Sequence, residues 1–121
     1  MINFRHAYGA LLYSLAGLRR AWNNEQAFRH EILLLPVMIA ILAVVRPGAG
    51  WIAGLIAAWL FVLALELLNS AIEEAFNLIS PDYNVHVKFG KDMASAAIFM
   101  SLLANGVLWL CMFFSRFALQ A

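Results

Sequence analysis

Three long apolar runs, Ile32 to Val45, Trp51 to Leu65 and Met93 to Phe114, take up much of a chain of only 121 residues. The residues left over are too few to wrap such runs away from water, so the runs need hydrocarbon around them. A helix takes about 20 residues to cross the bilayer core. Only the third run is that long, and each of the first two must borrow a turn or more of polar residues at one end. Composition agrees: 64% hydrophobic and 12% charged, against roughly 45–50% apolar and 25% charged in soluble domains. The chain therefore reads as an all-α integral membrane protein, a single membrane domain over residues 1–121.

Before the first run, Phe4, Tyr8, Leu11, Leu12, Leu15, Leu18 and Trp22 recur at helical spacing, interrupted by Arg5, His6, Arg19 and Arg20. This pattern predicts an amphipathic helix lying on the membrane surface over about 4–24, with an ordinary packed helix as the alternative. Crossings are expected at about 27–46, 51–79 with a polar extension, and 91–115. Arg46-Pro47-Gly48-Ala49-Gly50 supplies the turn of a helical hairpin. No leader pattern precedes the first crossing, which is read as permanent. The single cysteine, Cys111, is read as a packing residue. No basic tract with interleaved aromatics points to nucleic acid.

Charges sort by side. Arg5, Arg19, Arg20, Arg29, Lys88 and Lys91 fall with the N-terminus and the second loop, against Arg46 and Arg116 opposite, which predicts a cytoplasmic N-terminus and an outer C-terminus. The acids Glu25, Glu31, Glu66, Glu73, Glu74, Asp82 and Asp92 fall on the same half as the N-terminus.

On a helix, Glu66, Asn69, Ser70, Glu73 and Asn77 share one face, so a polar stripe runs into the membrane at the end of the second crossing. An ionisable residue at such a depth is costly and points to function; a structural polar network between helices is the alternative. Glu25 and Glu73 suit Mg²⁺, which takes one or two protein carboxylates and completes its shell with water and phosphate oxygens. Lys91, at the start of the third crossing, offers a cation for phosphate at a helix N-terminus. Arg29, four residues after Glu25, is placed to be its helical ion-pair partner; for Lys91 and Arg29, anchoring at the interface is the competing account.

Other motifs fail. Gly48-Ala49-Gly50 with Gly54 is not G-x-G-x-x-G, and Gly50 and Gly54 are read as turn and close-packing residues. His30-Glu31 begins H-E-x-x-H but Leu34 stands at the second histidine. Gly90-Lys91-Asp92 is no Walker A sequence.

Three blocks, AWNNEQAFRHE (Ala21 to Glu31), ELLNSAIE (Glu66 to Glu73) and KDMASAA (Lys91 to Ala97), resemble in order and spacing the bacterial integral-membrane diacylglycerol kinases. The resemblance covers nearly the whole chain. It implies a homotrimer in the bacterial cytoplasmic membrane, a surface helix and three crossings per protomer, and composite sites at the cytoplasmic face. ATP and diacylglycerol are the implied substrates, and Mg²⁺ the implied cofactor. By motif position, the resemblance implies that Glu66 is the general base and Asn69 its companion, and that Glu25 and Glu73 hold Mg²⁺-ATP. It implies further nucleotide contacts from His6, Tyr13, Ser14, Asp82, Tyr83, Asn84, Lys91 and Asp92. For the lipid side it implies Ser14, Arg19, Trp22, Phe28, Arg29, Glu31, Glu66, Ser95 and Trp109. The chain departs from the family pattern at His6 (more often arginine), Asn77 (often aspartate) and Gly90 (usually alanine).

The implied chemistry is in-line attack of the lipid hydroxyl on the γ-phosphorus of ATP. A sister branch phosphorylates undecaprenol, but the first and third blocks look more like the diacylglycerol branch. Two readings from other classes compete: a small proton-coupled transporter using one membrane glutamate, and a membrane assembly protein with polar groups as glue between helices. Acids gathered at one surface argue against the transporter, whose site belongs near the midplane.

Overall fold

The computed structural model describes residues 3–119, and every element among them is helical. Helix α1 spans Phe4–Asn24, α2 Gln26–Val45, α3 Ala49–Ile79 and α4 Val85–Phe113, and a π-helical turn, Phe114–Ala118, follows. α2, α3 and α4 are each long and apolar enough to cross a membrane. α3 and α4 pack along much of their length, α2 lies against α3, and α1 touches α2 and α3 more lightly. Within α1 only Ala21 is buried, as suits a helix whose apolar stripe meets lipid rather than protein.

Between α1 and α2 a single residue leaves the helix: Glu25 is extended, with φ −109° and ψ 108°. Its position decides what Arg29 does. The expected Glu25–Arg29 pair is not formed; Arg29 Nη1 instead donates to the carbonyls of Trp22 and Asn23, both at 3.4 Å. With Glu25 off the helical path the i, i+4 geometry is lost, and the guanidinium serves the unpaired carbonyls at the C-terminal end of α1, where a cation is favoured.

The α2–α3 hairpin turns at Arg46, in the left-handed region with φ 51°, and at Gly48, with φ 108°, a conformation that only glycine adopts readily. The C-terminal carbonyl of Val45 accepts from Arg116 Nε at 3.0 Å, which ties the π-helical turn after α4 to the hairpin. Pro36 interrupts the α2 ladder, having no N–H to give the carbonyl of Ile32. One residue earlier, the carbonyl of Glu31 accepts from Trp59 Nε1 of α3 at 2.9 Å, so a neighbouring helix supplies a donor beside the break.

The interior is small. Ala21, Phe28, Trp59, Val62 and Leu63 form one buried cluster, and Leu42, Leu55 and Met112 another. α4 is clipped to α3 by Asn105, whose Nδ2 donates to Ala58 O at 3.2 Å and to Ser101 O at 2.9 Å; such bonds between membrane helices contribute roughly 0.6 kcal/mol. Most large apolar side chains point outward, among them Leu33, Phe61, Leu78, Phe99 and Leu110. An aqueous surface of this kind would aggregate, whereas a hydrocarbon one is normal. Cys111 also lies on that outer surface, not in the packed interior. Nor are Gly50 and Gly54 sites of close packing, since a Cβ on either would meet nothing within 4 Å.

Candidate active site

The polar stripe of α3 is real and leads from the buried interior outward. Glu66 is 7% exposed, Asn69, Ser70 and Glu73 are half-buried, and Asn77 is exposed. Among the described residues the Glu66 carboxylate makes no hydrogen bond or ion pair, and Asn69 Oδ1 is buried without a donor. Glu25 and Glu73 lie within electrostatic reach of Glu66, and Glu66 within reach of Glu31. Glu31 Oε2 is a further buried oxygen with no donor. A group of carboxylates drawn together beneath a surface, without a cation, opposes folding.

The nearby cations are committed elsewhere. Arg20 of α1 meets Glu74 of α3 at 3.7 Å, an exposed pair worth at most about 1 kcal/mol. Arg29 is on the α1 carbonyls, Lys88 Nζ is 2.6 Å from Asp92 Oδ2, and Lys91 Nζ donates to Asn77 Oδ1 at 2.9 Å. Among the described residues no three His, Cys, Asp or Glu side chains are grouped to hold a metal ion. Glu25 and Glu73, whose side chains have no hydrogen-bond partner among the described residues, are hard oxygen donors less buried than Glu66. That set fits Mg²⁺ bound with a phosphate ligand, which needs no all-protein cage.

Two cavities flank the stripe. One, of about 560 Å³, opens between α1 and α3 against Leu18, Ala21, Leu67 and Ala71, with Ser14, Arg20, Glu25, Ser70 and Glu74 supplying its polar groups. Its size suits a small ligand or part of a lipid. The second, about 400 Å³, lies where α3 gives way to α4 and collects Asp82, Tyr83, Asn84, Lys91 and Asp92 together with Asn77 and Lys88. Five expected nucleotide residues thus come together in one place.

The remaining expected residues are dispersed. His6, Tyr13, Arg19, Trp22 and Ser95 are exposed and line neither cavity. Ser14 reaches the first cavity, although its hydroxyl donates to Ala10 O within α1. Phe28, 1% exposed, packs in the core. Trp109 lies beside the second core cluster, its Nε1 buried without an acceptor. Sequence reasoning passed over Arg20, Glu74 and Lys88 as site residues; their partners are on another helix or in a helical turn whose start was misplaced.

Lys91 is not at a helix N-terminus, because α4 begins at Val85, where Asn84 Oδ1 accepts from His86 N at 2.8 Å and Val87 N at 3.3 Å. Asparagine in this role is among the strongest helix starters, and it sets the first turn well before the apolar run. Close packing then brings α3 to α4: a Cβ on Gly90 would sit 2.6 and 2.8 Å from ring carbons of Phe76. Phe76 and Gly90 adjoin Asn77 and Lys91 in sequence, so this contact sets the spacing across which those two bond. Gly90→Ala should therefore forfeit the roughly 1 kcal/mol that alanine gains over glycine inside a helix. A double-mutant cycle with Phe76→Ala, read by thermal unfolding in detergent, should give a coupling of about 1 kcal/mol or more; additive effects would refute the contact.

These features meet a clear set of relatives. The family model for prokaryotic diacylglycerol kinase matches residues 12–113. The diacylglycerol kinase of Haemophilus influenzae is 36% identical over 104 residues, covering 86% of this chain and 88% of its own. That of Pseudomonas aeruginosa is 41% identical over 97 residues, covering 80% and 79%, and that of Escherichia coli 34% over 105, covering 87% and 86%. A match of this extent, over a chain with three membrane-length helices and a partnerless glutamate on the second of them, makes this protein a member of the prokaryotic diacylglycerol kinase family.

Proposed function

We propose that this protein transfers the γ-phosphate of ATP to the free hydroxyl of diacylglycerol, giving phosphatidic acid and ADP at the membrane surface. The observation that carries the reading is Glu66: a buried carboxylate with no donor and no cation among the described residues, on the same helix face as the orphaned Oδ1 of Asn69 and within electrostatic reach of Glu25 and Glu73. Such a group costs stability and is suited to taking a proton.

The lipid hydroxyl donates its hydrogen bond to Glu66, with Asn69 holding the pair in line. The hydroxyl oxygen bonds to the γ-phosphorus, the bond from γ-phosphorus to the β–γ bridging oxygen breaks, ADP departs, and the hydroxyl proton passes to Glu66. Glu25 and Glu73 would hold Mg²⁺, which when bound neutralises charge on the phosphate oxygens. Lys91 and Asp92, with Asp82, Tyr83 and Asn84, orient the nucleotide from the second cavity, while the apolar walls between α1 and α3 shelter the glycerol end of the lipid. Arg19, Trp22, Phe28, Arg29, Glu31, Ser95 and Trp109 belong to the lipid side, and His6, Tyr13 and Ser14 to the nucleotide.

His6 and Tyr13 are exposed on α1 and line neither of these two cavities. In the homotrimer that the family resemblance implies, a neighbouring protomer would bring such residues to the site. The N-terminus is cytoplasmic, in keeping with the six basic residues on that side, and the membrane is the bacterial inner one. Incubating the reconstituted protein with labelled ATP and Mg²⁺, with diacylglycerol or undecaprenol in mixed micelles, tests the reading. Labelled phosphatidic acid is expected; label in undecaprenol alone would transfer the protein to the sister activity, and none in either lipid would refute the kinase assignment.

A further inference from the structure

The first two turns of α4 carry two ammonium groups, Lys88 and Lys91, three residues apart and so on one face, and both line the cavity between α3 and α4. They are held differently. Lys91 binds the neutral amide of Asn77, which leaves its charge uncompensated, whereas Lys88 sits 2.6 Å from the carboxylate of Asp92. Asp82 adds a second carboxylate to the lining.

Two lysines against two aspartates leave the cavity neutral; without Lys88 it would be net negative, a poor receptor for a polyphosphate. Backbone groups do not make up the difference. The N–H groups of His86 and Val87, which at a helix start often receive a phosphate, are already taken by Asn84 Oδ1. Cationic side chains must do the work here.

We propose that Lys88 is a second phosphate-contacting residue of the nucleotide cavity, held on Asp92 until a nucleotide arrives. This rests on the kinase reading above. Both side chains of the Lys88–Asp92 pair are more than half exposed, at 55% and 60%, and such solvated pairs contribute little to stability. Exchange of Asp92 for a phosphate oxygen is therefore cheap, and the new bond is charge-assisted.

The test uses the full-length protein in mixed micelles, comparing Lys88→Gln and Lys88→Arg with wild type. Lys88→Gln should raise the KM for ATP about tenfold, the effect of losing one charge-assisted contact, with kcat and the KM for diacylglycerol within about twofold. Lys88→Arg should restore most of the ATP affinity. Equilibrium binding of trinitrophenyl-ATP, measured without lipid, should weaken in the same ratio. An unchanged ATP KM and unchanged binding would overturn the proposal, as would equal losses in kcat and both KM values, which would mark Lys88 as a structural residue. Because the binding measurement needs no lipid acceptor, it judges Lys88 even if wild type proves inactive on diacylglycerol, an outcome that would fall on the kinase reading alone.

Discussion

Glu66→Gln is expected to lose about 10²–10⁴-fold in kcat, the range general-base catalysis supplies, while the protein folds as before. The substitution keeps shape and volume and removes only the charge. In the folded chain that charge is 7% exposed, has no donor, and lies near Glu25 and Glu73. A glutamine at this place relieves like-charge repulsion and adds an amide donor on the helix face where Asn69 Oδ1 lacks one. Thermal stability in detergent should consequently hold or rise. Turnover within fivefold of wild type would remove Glu66 from the role of base. A loss of activity accompanied by a fall in stability would make it a structural group instead.

Glu73→Gln should lower kcat/KM for ATP by about 10²-fold, comparable to deleting one group aimed at transition-state charge, and should weaken the apparent affinity for Mg²⁺. Glu73 stands two turns beyond Glu66 on the same face of α3, half-buried and without a hydrogen-bond partner. A carboxylate that only completed a structural network would be engaged by a donor, and among the described residues none reaches it. Titration of Mg²⁺ at fixed ATP separates the accounts: if Glu73 is a ligand, excess Mg²⁺ recovers part of the lost rate. An unchanged Mg²⁺ dependence would reject it. Glu25→Gln should behave in the same way, with an added effect on the α1–α2 junction, because Glu25 is the one extended residue between two helices.

Much of this architecture was visible in the residue order. Apolar runs of membrane length and helical spacing in Phe4 to Trp22 are local patterns, and a helix covers each of them, although α4 starts earlier than its apolar run. The stripe of Glu66, Asn69, Ser70 and Glu73 was legible for the same reason: a single helix carries it, and helical periodicity alone puts its members on one face. The blocks around Glu25, Glu66 and Lys91 likewise pointed to the family, because motif order needs no coordinates. By contrast, Gly54 looked like a packing residue and has no neighbour, while Gly90, noted only as a departure, is where Phe76 closes in.

Local physics therefore determined the class of this protein, its helices and the face on which its carboxylates lie, since hydrophobic length and a 3.6-residue period act within one segment. Tertiary structure decided the pairings. Whether Arg29 served Glu25 or the end of α1 depended on one residue leaving the helix, and whether Lys91 stood at a helix start depended on Asn84 capping the chain earlier. That Glu66 has no partner among the described residues could be learned only from the packed helices, where Arg20, Arg29, Lys88 and Lys91 all bind other groups. Charges choose among competitors by distance, and those distances exist only once α1, α3 and α4 have come together.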